Sequence, residues 1–193
     1  MIHLAIFASG KGTNAEAIIN YFRNSRDVAV GLVVSSHPDA GVIEVAKKNR
    51  IPVAVVTKEN LYDSQELLEV LSRHEISFIV LAGFLWYVPA YVLENYPNRI
   101  INIHPALLPR HGGKGMYGRK VHEAVLNAKE TETGITVHYV NERYDEGEII
   151  FQKKCSVEPD DDATTLEAKV QRLEHEYYPK VIEKILLQEP VRL

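Results

Sequence analysis

The stretch RIINIHPALLPRHGGKGMYG, Arg99 to Gly118, brings the amide of Asn102 and the imidazole of His104 to the end of an apolar run. The run breaks at Pro105 and opens into a loop holding four glycines. Side chains two apart on a strand share a face, so Asn102 and His104 project together while Ile101 and Ile103 pack the other way. An amide N–H and an imidazolium N–H aimed at one point are what a developing oxyanion requires. The imidazole then needs an acid to orient and charge it. The acid-rich turn around NERYDEG offers Glu142, Asp145, Glu146 and Glu148, and composition does not choose among them.

A second chemical signal lies in ASGKGTNAEA, which follows the first strand and opens the first helix. Unpaired backbone N–H groups and the helix dipole attract an anion there, Gly10 and Gly12 allow close backbone approach, and Thr13 and Asn14 add donors. The spacing G-x-G-x-x-A also fits a dinucleotide fingerprint, so a nicotinamide oxidoreductase is one alternative. That fingerprint wants an acid at the end of the second strand, where this chain has Ser35 and Ser36, with Asp39 only beyond a proline. A Walker loop fails for lack of Gly-Lys-Ser/Thr. The expectation is a phosphate monoester site. His74, His122 and His175 each begin a His-Glu pair, but the positions four beyond are Phe78, Leu126 and Pro179, so no zinc-protease motif is completed and no metal is expected. Cys155, the one cysteine, has no histidine beside it in sequence and reads as structural.

These groups must be held by elements that the hydrophobic pattern supplies. Apolar runs at IHLAIFA, VAVGLVV, IPVAVV, SFIVLAG and RIINIHP alternate with helical patterns at TNAEAIINYFRN, VIEVAKKNR, YDSQELLEVLSRHE and VPAYVLENYP. In the first helix Ala17, Ile18, Tyr21 and Phe22 are expected to form the buried face. Continuous Val/Ile/Leu strands between amphipathic helices predict an α/β fold, a Rossmann-like, mostly parallel sheet flanked by helices. Ligands of such sheets sit at the carboxyl ends of the strands. After a helix near GRKVHEAVLN, the runs TGITVHYV and EIIFQKKCSV predict an antiparallel addition. A long C-terminal helix follows, with Asp162 or a neighbouring Asp as N-cap.

Composition narrows the class of partner. The 193 residues are 46% hydrophobic and 25% charged, with a formal net charge of −4. Lys and Arg are scattered among acids, so nucleic acid is not the expected partner and small molecules are. The single cysteine and an N-terminus without signal-peptide features predict a cytoplasmic protein, and no apolar run is long enough to cross a bilayer. The aromatic stretch FLWYVPAY is read as a pocket wall or core segment, with a dimer patch as the lesser alternative; a monomer or weak homodimer is expected.

With FASGKGTN, VLAGFLWYVP, INIHPALLPRHGG, GITVHYVNERYDEGEII and LEHEYYPKVI in this order, the whole chain resembles the folate-dependent formyltransferase superfamily. Within it, the phosphate loop and lone-domain length match the branch acting on glycinamide ribonucleotide. The resemblance implies one formyltransferase domain over residues 1–193, with a phosphate-binding half of about 1–100 and a catalytic and folate half of about 101–193. It implies formyl transfer from 10-formyltetrahydrofolate, a co-substrate, to the amine of glycinamide ribonucleotide in purine biosynthesis, without a metal. Carried over from the family, the catalytic groups are Asn102, His104 and Asp145, which singles out one acid of the turn. The substrate loop falls on Gly12, Thr13, Asn14, Ala15 and Glu16, and the residue holding the substrate's amino end on Glu174. The folate site falls on Leu85, Trp86, Tyr87 and Val88, on Asn102, and on Asn141, Glu142, Arg143, Tyr144 and Asp145. Trp86 and Gln65 stand where the family often has Arg, and the Arg110 to Gly118 loop is longer than the common form. Asp145 is expected to fix the imidazole's tautomer and raise its pKa. The alternatives are another folate-dependent N-formyltransferase, a formyltetrahydrofolate hydrolase and, more remotely, the dinucleotide-binding oxidoreductase.

Overall fold

The computed structural model describes residues 1–191. Seven strands hydrogen-bond in the order β3-β2-β1-β4-β5-β6-β7, giving the mostly parallel α/β sheet that the run of apolar segments predicts. The chain divides into two compact units, Met1–Ile101 and Asn102–Leu193.

The first unit contains β1 (Ile2–Ala8), α1 (Thr13–Phe22), β2 (Val28–Ser35), α2 (Gly41–Lys48), β3 (Val53–Val55), α3 (Lys58–Tyr62), α4 (Glu66–Arg73), β4 (Phe78–Leu81) and α5 (Ala90–Asn95). Here β5 (Ile100–His104) begins. β1 lies between β2 and β4 and runs parallel to both, pairing Ile6 with Val33 on one side and with Val80 on the other. Leu4 through Ala8 are all buried. Covered on both faces, such a strand cannot afford the polar alternation of a half-exposed one, hence its unbroken apolar sequence. Each fully buried Leu or Ile contributes about 1.5–3 kcal/mol.

Two local expectations are corrected. The core face of α1 is Ala15, Ile18, Ile19 and Phe22, whereas Tyr21 is exposed and stacks edge-on against Phe22. The i, i+3, i+4, i+7 stripe therefore starts at Ala15, not Ala17. The helix expected over YDSQELLEVLSRHE is α4, shortened to Glu66–Arg73, and a separate, unexpected helix precedes it. That helix, α3, begins on a reciprocal cap, in which Thr57 Oγ1 accepts from Asn60 N–H and Asn60 Oδ1 accepts from Thr57 N–H. It stops at Asp63, and Gln65 becomes the N-cap residue of α4.

The second unit contains the end of β5, α6 (Arg119–Asn127), β6 (Glu132–Tyr139), β7 (Ile149–Ser156) and α7 (Ala163–Leu186). β6 and β7 are antiparallel, as expected, with Ile135 opposite Lys153 and Val137 opposite Phe151. The register then shifts so that His138 faces Ile149 and Ile150 is left over. The bulge lies on β7, opposite the step from Val137 to His138. Asp162 caps α7, its carboxylate accepting from the N–H groups of Thr164 and Thr165; a cap of this kind is worth about 1 kcal/mol. The helix packs Leu166, Val170, Tyr178, Val181 and Ile182 inward. Among the described residues no helix is long and apolar enough to cross a membrane.

Candidate active site

In the second unit the carboxyl end of β5 delivers Asn102 and His104 into a cluster of buried polar groups. His104 Nε2 lies 2.8 Å from the backbone oxygen of His111, so this nitrogen carries a proton and donates. On the other side, Nδ1 stands 3.5 Å from Asp145 Oδ2. Both ring nitrogens thus face acceptors, an arrangement that suits the imidazolium. Burial works against it, and is the largest influence on the group. It carries the pKa of His104 below the ordinary 6.5, although Asp145 and the His111 carbonyl pull it upward and His138 and the charged form of His111 push it down. The expectation that Asp145 raises the imidazole's pKa holds for Asp145's own contribution and fails for the net result, because desolvation of the cation outweighs it.

The turn after β6 selects one acid by geometry. Asn141 Oδ1 accepts from Arg143 N–H, and Glu142, Arg143, Tyr144, Glu146 and Glu148 are exposed. Asp145 alone turns inward. It takes a left-handed backbone with φ 56°, its side chain is only 11% exposed, and its Oδ2 accepts from Gly113 N–H at 2.9 Å. Burial raises its pKa, but the charge on His104 and the Gly113 N–H together hold it below 3.8; His138 Nε2, at 3.6 Å, is beyond hydrogen-bond reach. The carboxylate is therefore ionised throughout the neutral range.

His138 was not among the expected site residues. Its Nδ1 donates to Tyr139 O at 2.8 Å, which leaves Nε2 to accept from the Asn102 amide nitrogen at 3.2 Å. The same Nε2 stands 3.6 Å from Asp145 Oδ1. One amide hydrogen of Asn102 is committed to His138 and the other is left for a ligand. The signal that marks His138 is the alternation in TGITVHYV, where Thr136 and His138 share a strand face as Asn102 and His104 do. Thr136 completes the support: its hydroxyl donates to Ala106 O and accepts from Leu108 N–H and from the Gln152 amide. The segment leaving His104 is fastened to β6 in this way.

Glu174 is half-buried on α7, one helical turn before the fully buried Tyr178. Burial, and secondarily the charge of Glu174, raise that phenol's pKa well above its usual value.

A further histidine lies behind the cluster. His122 on α6 is 2% exposed, and its Nδ1 is buried without a hydrogen-bond partner. Burial lowers its pKa, Glu167 pulls it up and the charge on His104 pushes it down. For both His104 and His122 the unfolded chain binds protons near 6.5 and the folded chain binds them only at lower pH. Stability is therefore expected to fall as pH drops from about 7 toward 5, each such group contributing at most about 1.4 kcal/mol per pH unit. Urea unfolding across that range should show the loss, and His122→Leu should flatten it. An unchanged slope in the variant would show that His122 takes no part.

In the first unit Gly12 is the N-cap residue of α1 with φ 82°, and a Cβ there would lie 2.7 Å from Val42 Cα. Glycine is required both by this left-handed backbone and by the close approach of α2. Thr13 and Asn14 follow at the helix N-terminus, partly exposed. Ala15 is buried, and the carboxylate of Glu16 sits in the positive first turn. Ser9, Gly10, Lys11, His37, Asp39, Ala40 and Gly41 line an open cleft of about 540 Å³ beside this loop. The segment after β4 is anchored by Leu85 N–H donating to Ser9 Oγ and by Tyr62 Oη donating to Tyr87 O. Leu85 is 45% exposed, whereas Val88 is 4% exposed and packs in the core. Trp86 stacks edge-on with Phe84 and has the Lys58 ammonium 5.9 Å above its ring. Among the described residues no three His, Cys, Asp or Glu side chains are grouped to hold a metal ion.

This α/β sheet, ending in a paired amide and imidazole beside an inward-turned carboxylate, is that of a chain that belongs to the formyl transferase family, whose model matches residues 2–182. The chain is similar to the chloroplastic phosphoribosylglycinamide formyltransferase of Arabidopsis thaliana, 40% identical over 93% of this chain and 63% of that protein. It is 37% identical to the phosphoribosylglycinamide formyltransferase of Bacillus subtilis (strain 168), covering 96% of this chain and 95% of that one. Among solved structures, the phosphoribosylglycinamide formyltransferase of Bacillus halodurans superposes with a TM-score of 0.86 at 39% identity, over 95% of both chains. That of Anaplasma phagocytophilum gives 0.88 at 32% identity, over 97% of this chain and 88% of its own. The chain spans 63% and 60% of the lengths of its plant relatives from Arabidopsis thaliana and Vigna unguiculata.

Proposed function

We propose that this chain transfers the formyl group of 10-formyltetrahydrofolate to the amine of glycinamide ribonucleotide, giving formylglycinamide ribonucleotide in purine biosynthesis. The observation that carries the reading is the part-buried cluster of Asn102 and His104 at the end of β5 with Asp145 from the turn after β6, in a chain aligned nearly end to end with a bacterial phosphoribosylglycinamide formyltransferase. The family match runs unbroken from residue 2 to 182, which supports treating both units as one formyltransferase domain.

In this reading the neutral amine attacks the formyl carbon and the carbonyl π pair moves onto oxygen. The uncommitted amide hydrogen of Asn102 and the Nδ1–H of the His104 imidazolium, which at 3.5 Å from Asp145 makes an ionic contact but no hydrogen bond, stabilise that oxyanion. Asp145 holds the imidazole and, through water, passes the amine's proton toward the folate nitrogen as the C–N bond to folate breaks. His138 keeps the Asn102 amide turned so that its nitrogen is the donor. By the family resemblance, the Gly12, Thr13 and Asn14 turn is for the substrate phosphate and the 85–88 segment for the pterin. Glu174 takes the amino end of the substrate.

The test is tetrahydrofolate release from the formylated folate, followed by absorbance with and without glycinamide ribonucleotide. Release that depends on the ribonucleotide is expected. Release of equal rate without it would replace the transferase reading with a hydrolase, and no release in either case would overturn both.

A further inference from the structure

The loop between His104 and α6 does more than connect. Two of its residues, one apart, reach the two members of the catalytic pair: the His111 carbonyl accepts from His104 Nε2, and Gly113 N–H donates to Asp145 Oδ2. Turning both backbone groups inward takes left-handed conformations at His111, φ 56°, and Gly113, φ 95°. Gly112 fits between them because a Cβ would lie 2.4 Å from Leu108 Cδ2 and 3.3 Å from the Cβ of Asp145. A left-handed backbone at a non-glycine residue costs about 1–2 kcal/mol, so something must hold His111 in place. That something is Glu130, between α6 and β6. One carboxylate oxygen accepts from His111 Nε2 at 3.1 Å, and the other pairs with the Arg110 guanidinium. The carboxylate is anchored in turn, since Glu130 N–H bonds back to Val125 O at the end of α6.

We propose that Glu130 is a positioning residue for formyl transfer, holding the His111 peptide so that its carbonyl orients His104 and the Gly113 N–H orients Asp145. It touches no reacting atom. Its action is to keep the imidazole from rotating before substrate arrives, which is the kind of preorganisation that separates a productive site from a loose one. The inference rests on His104 being the group that acts on the formyl oxygen, but its primary readout does not need turnover.

That readout is the His104 Nε2–H signal in ¹⁵N-resolved NMR of the intact chain, where a proton held by a buried carbonyl exchanges slowly. Glu130→Ala should abolish the slow-exchanging signal and lower kcat by roughly tenfold, with KM for either substrate moving less than about threefold. Glu130→Gln removes the same charge but keeps an oxygen for His111, so it should retain the signal and most of the kcat. Arg110→Gln should likewise retain the signal, because the His111 contact survives it. Should Glu130→Ala not fold, His111→Ala breaks the same link from the other side and should behave as Glu130→Ala is expected to. The proposal is overturned if the alanine variant keeps the signal and its kcat, or if the alanine and glutamine variants lose them equally, which would make the effect one of charge. A signal lost in the alanine variant of a chain that shows no formyl transfer would leave the positioning role standing and remove the proposed function instead.

Discussion

His104→Ala is expected to lower kcat for formyl transfer by about a hundredfold or more in a chain that still folds. The magnitude follows from what the imidazole does: a donor aimed at developing negative charge in a buried site is worth on the order of 3 kcal/mol in the transition state. The loss should fall on kcat and kcat/KM together, because the interaction is made only as the oxyanion forms. Folding survives because the side chain makes one hydrogen bond and one ionic contact. Leaving the His111 carbonyl and the Asp145 carboxylate short of a partner costs about 1–3 kcal/mol, less than a typical domain's stability. Asn102→Ala should behave similarly, and it also strips His138 Nε2 of its donor. Steady-state kinetics on protein shown to be folded by circular dichroism checks both. Turnover near the parent's in either folded variant would remove that residue from the chemistry.

The pair at the strand end was legible because a strand has a period of two, so Asn102 and His104 could be placed on one face without coordinates. The same rule applied to Thr136 and His138 would have marked the second pair, but a histidine among apolar residues in TGITVHYV reads equally well as a core residue. Its contact with Asn102 is a matter of which strand lies beside β6, which the segment alone does not state. The acid could not be chosen from the turn's composition because the choice depends on backbone. Only Asp145 sits where a left-handed φ turns its side chain inward, and resemblance, not spacing, singled it out beforehand. The long apolar strands and the Asp162 cap were readable since burial on both faces and capping chemistry are local. Helix α3 was missed because its start depends on a reciprocal Thr57 and Asn60 cap while only Leu61 is buried within it, so hydrophobic period carries little of it. Least legible was the His111 carbonyl, a backbone acceptor whose role no side-chain type announces.

Asp145→Asn is expected to lower kcat by about a hundred- to ten-thousand-fold, the range seen when a buried acid that orients a catalytic histidine is made neutral. The substitution is isosteric and keeps an oxygen for Gly113 N–H, so the loop need not move. What changes is the charge. Asp145 Oδ2 faces both Gly113 N–H and His104 Nδ1, so the amide oxygen kept there still faces Nδ1, while the amide nitrogen takes the place of Oδ1 opposite His138 Nε2. The imidazolium would lose the counter-charge that now lifts its pKa against burial. Remaining activity should therefore favour lower pH than in the parent, since the protonated ring forms only there. A second effect has the opposite dependence. Asp145 is held below 3.8 in the folded chain, so its contribution to stability is full above that value and is lost as pH falls through the depressed pKa; the variant should lack this acid-labile part. Because the two residues act as a unit, combining Asp145→Asn with His104→Ala should cost little more than the worse single substitution. Kinetics of the two single variants and the double variant across pH provide the check. Losses that simply add would show that Asp145 acts on the reaction independently of the imidazole, and a pH profile unmoved in the single variant would show that its charge does not govern the proton on His104.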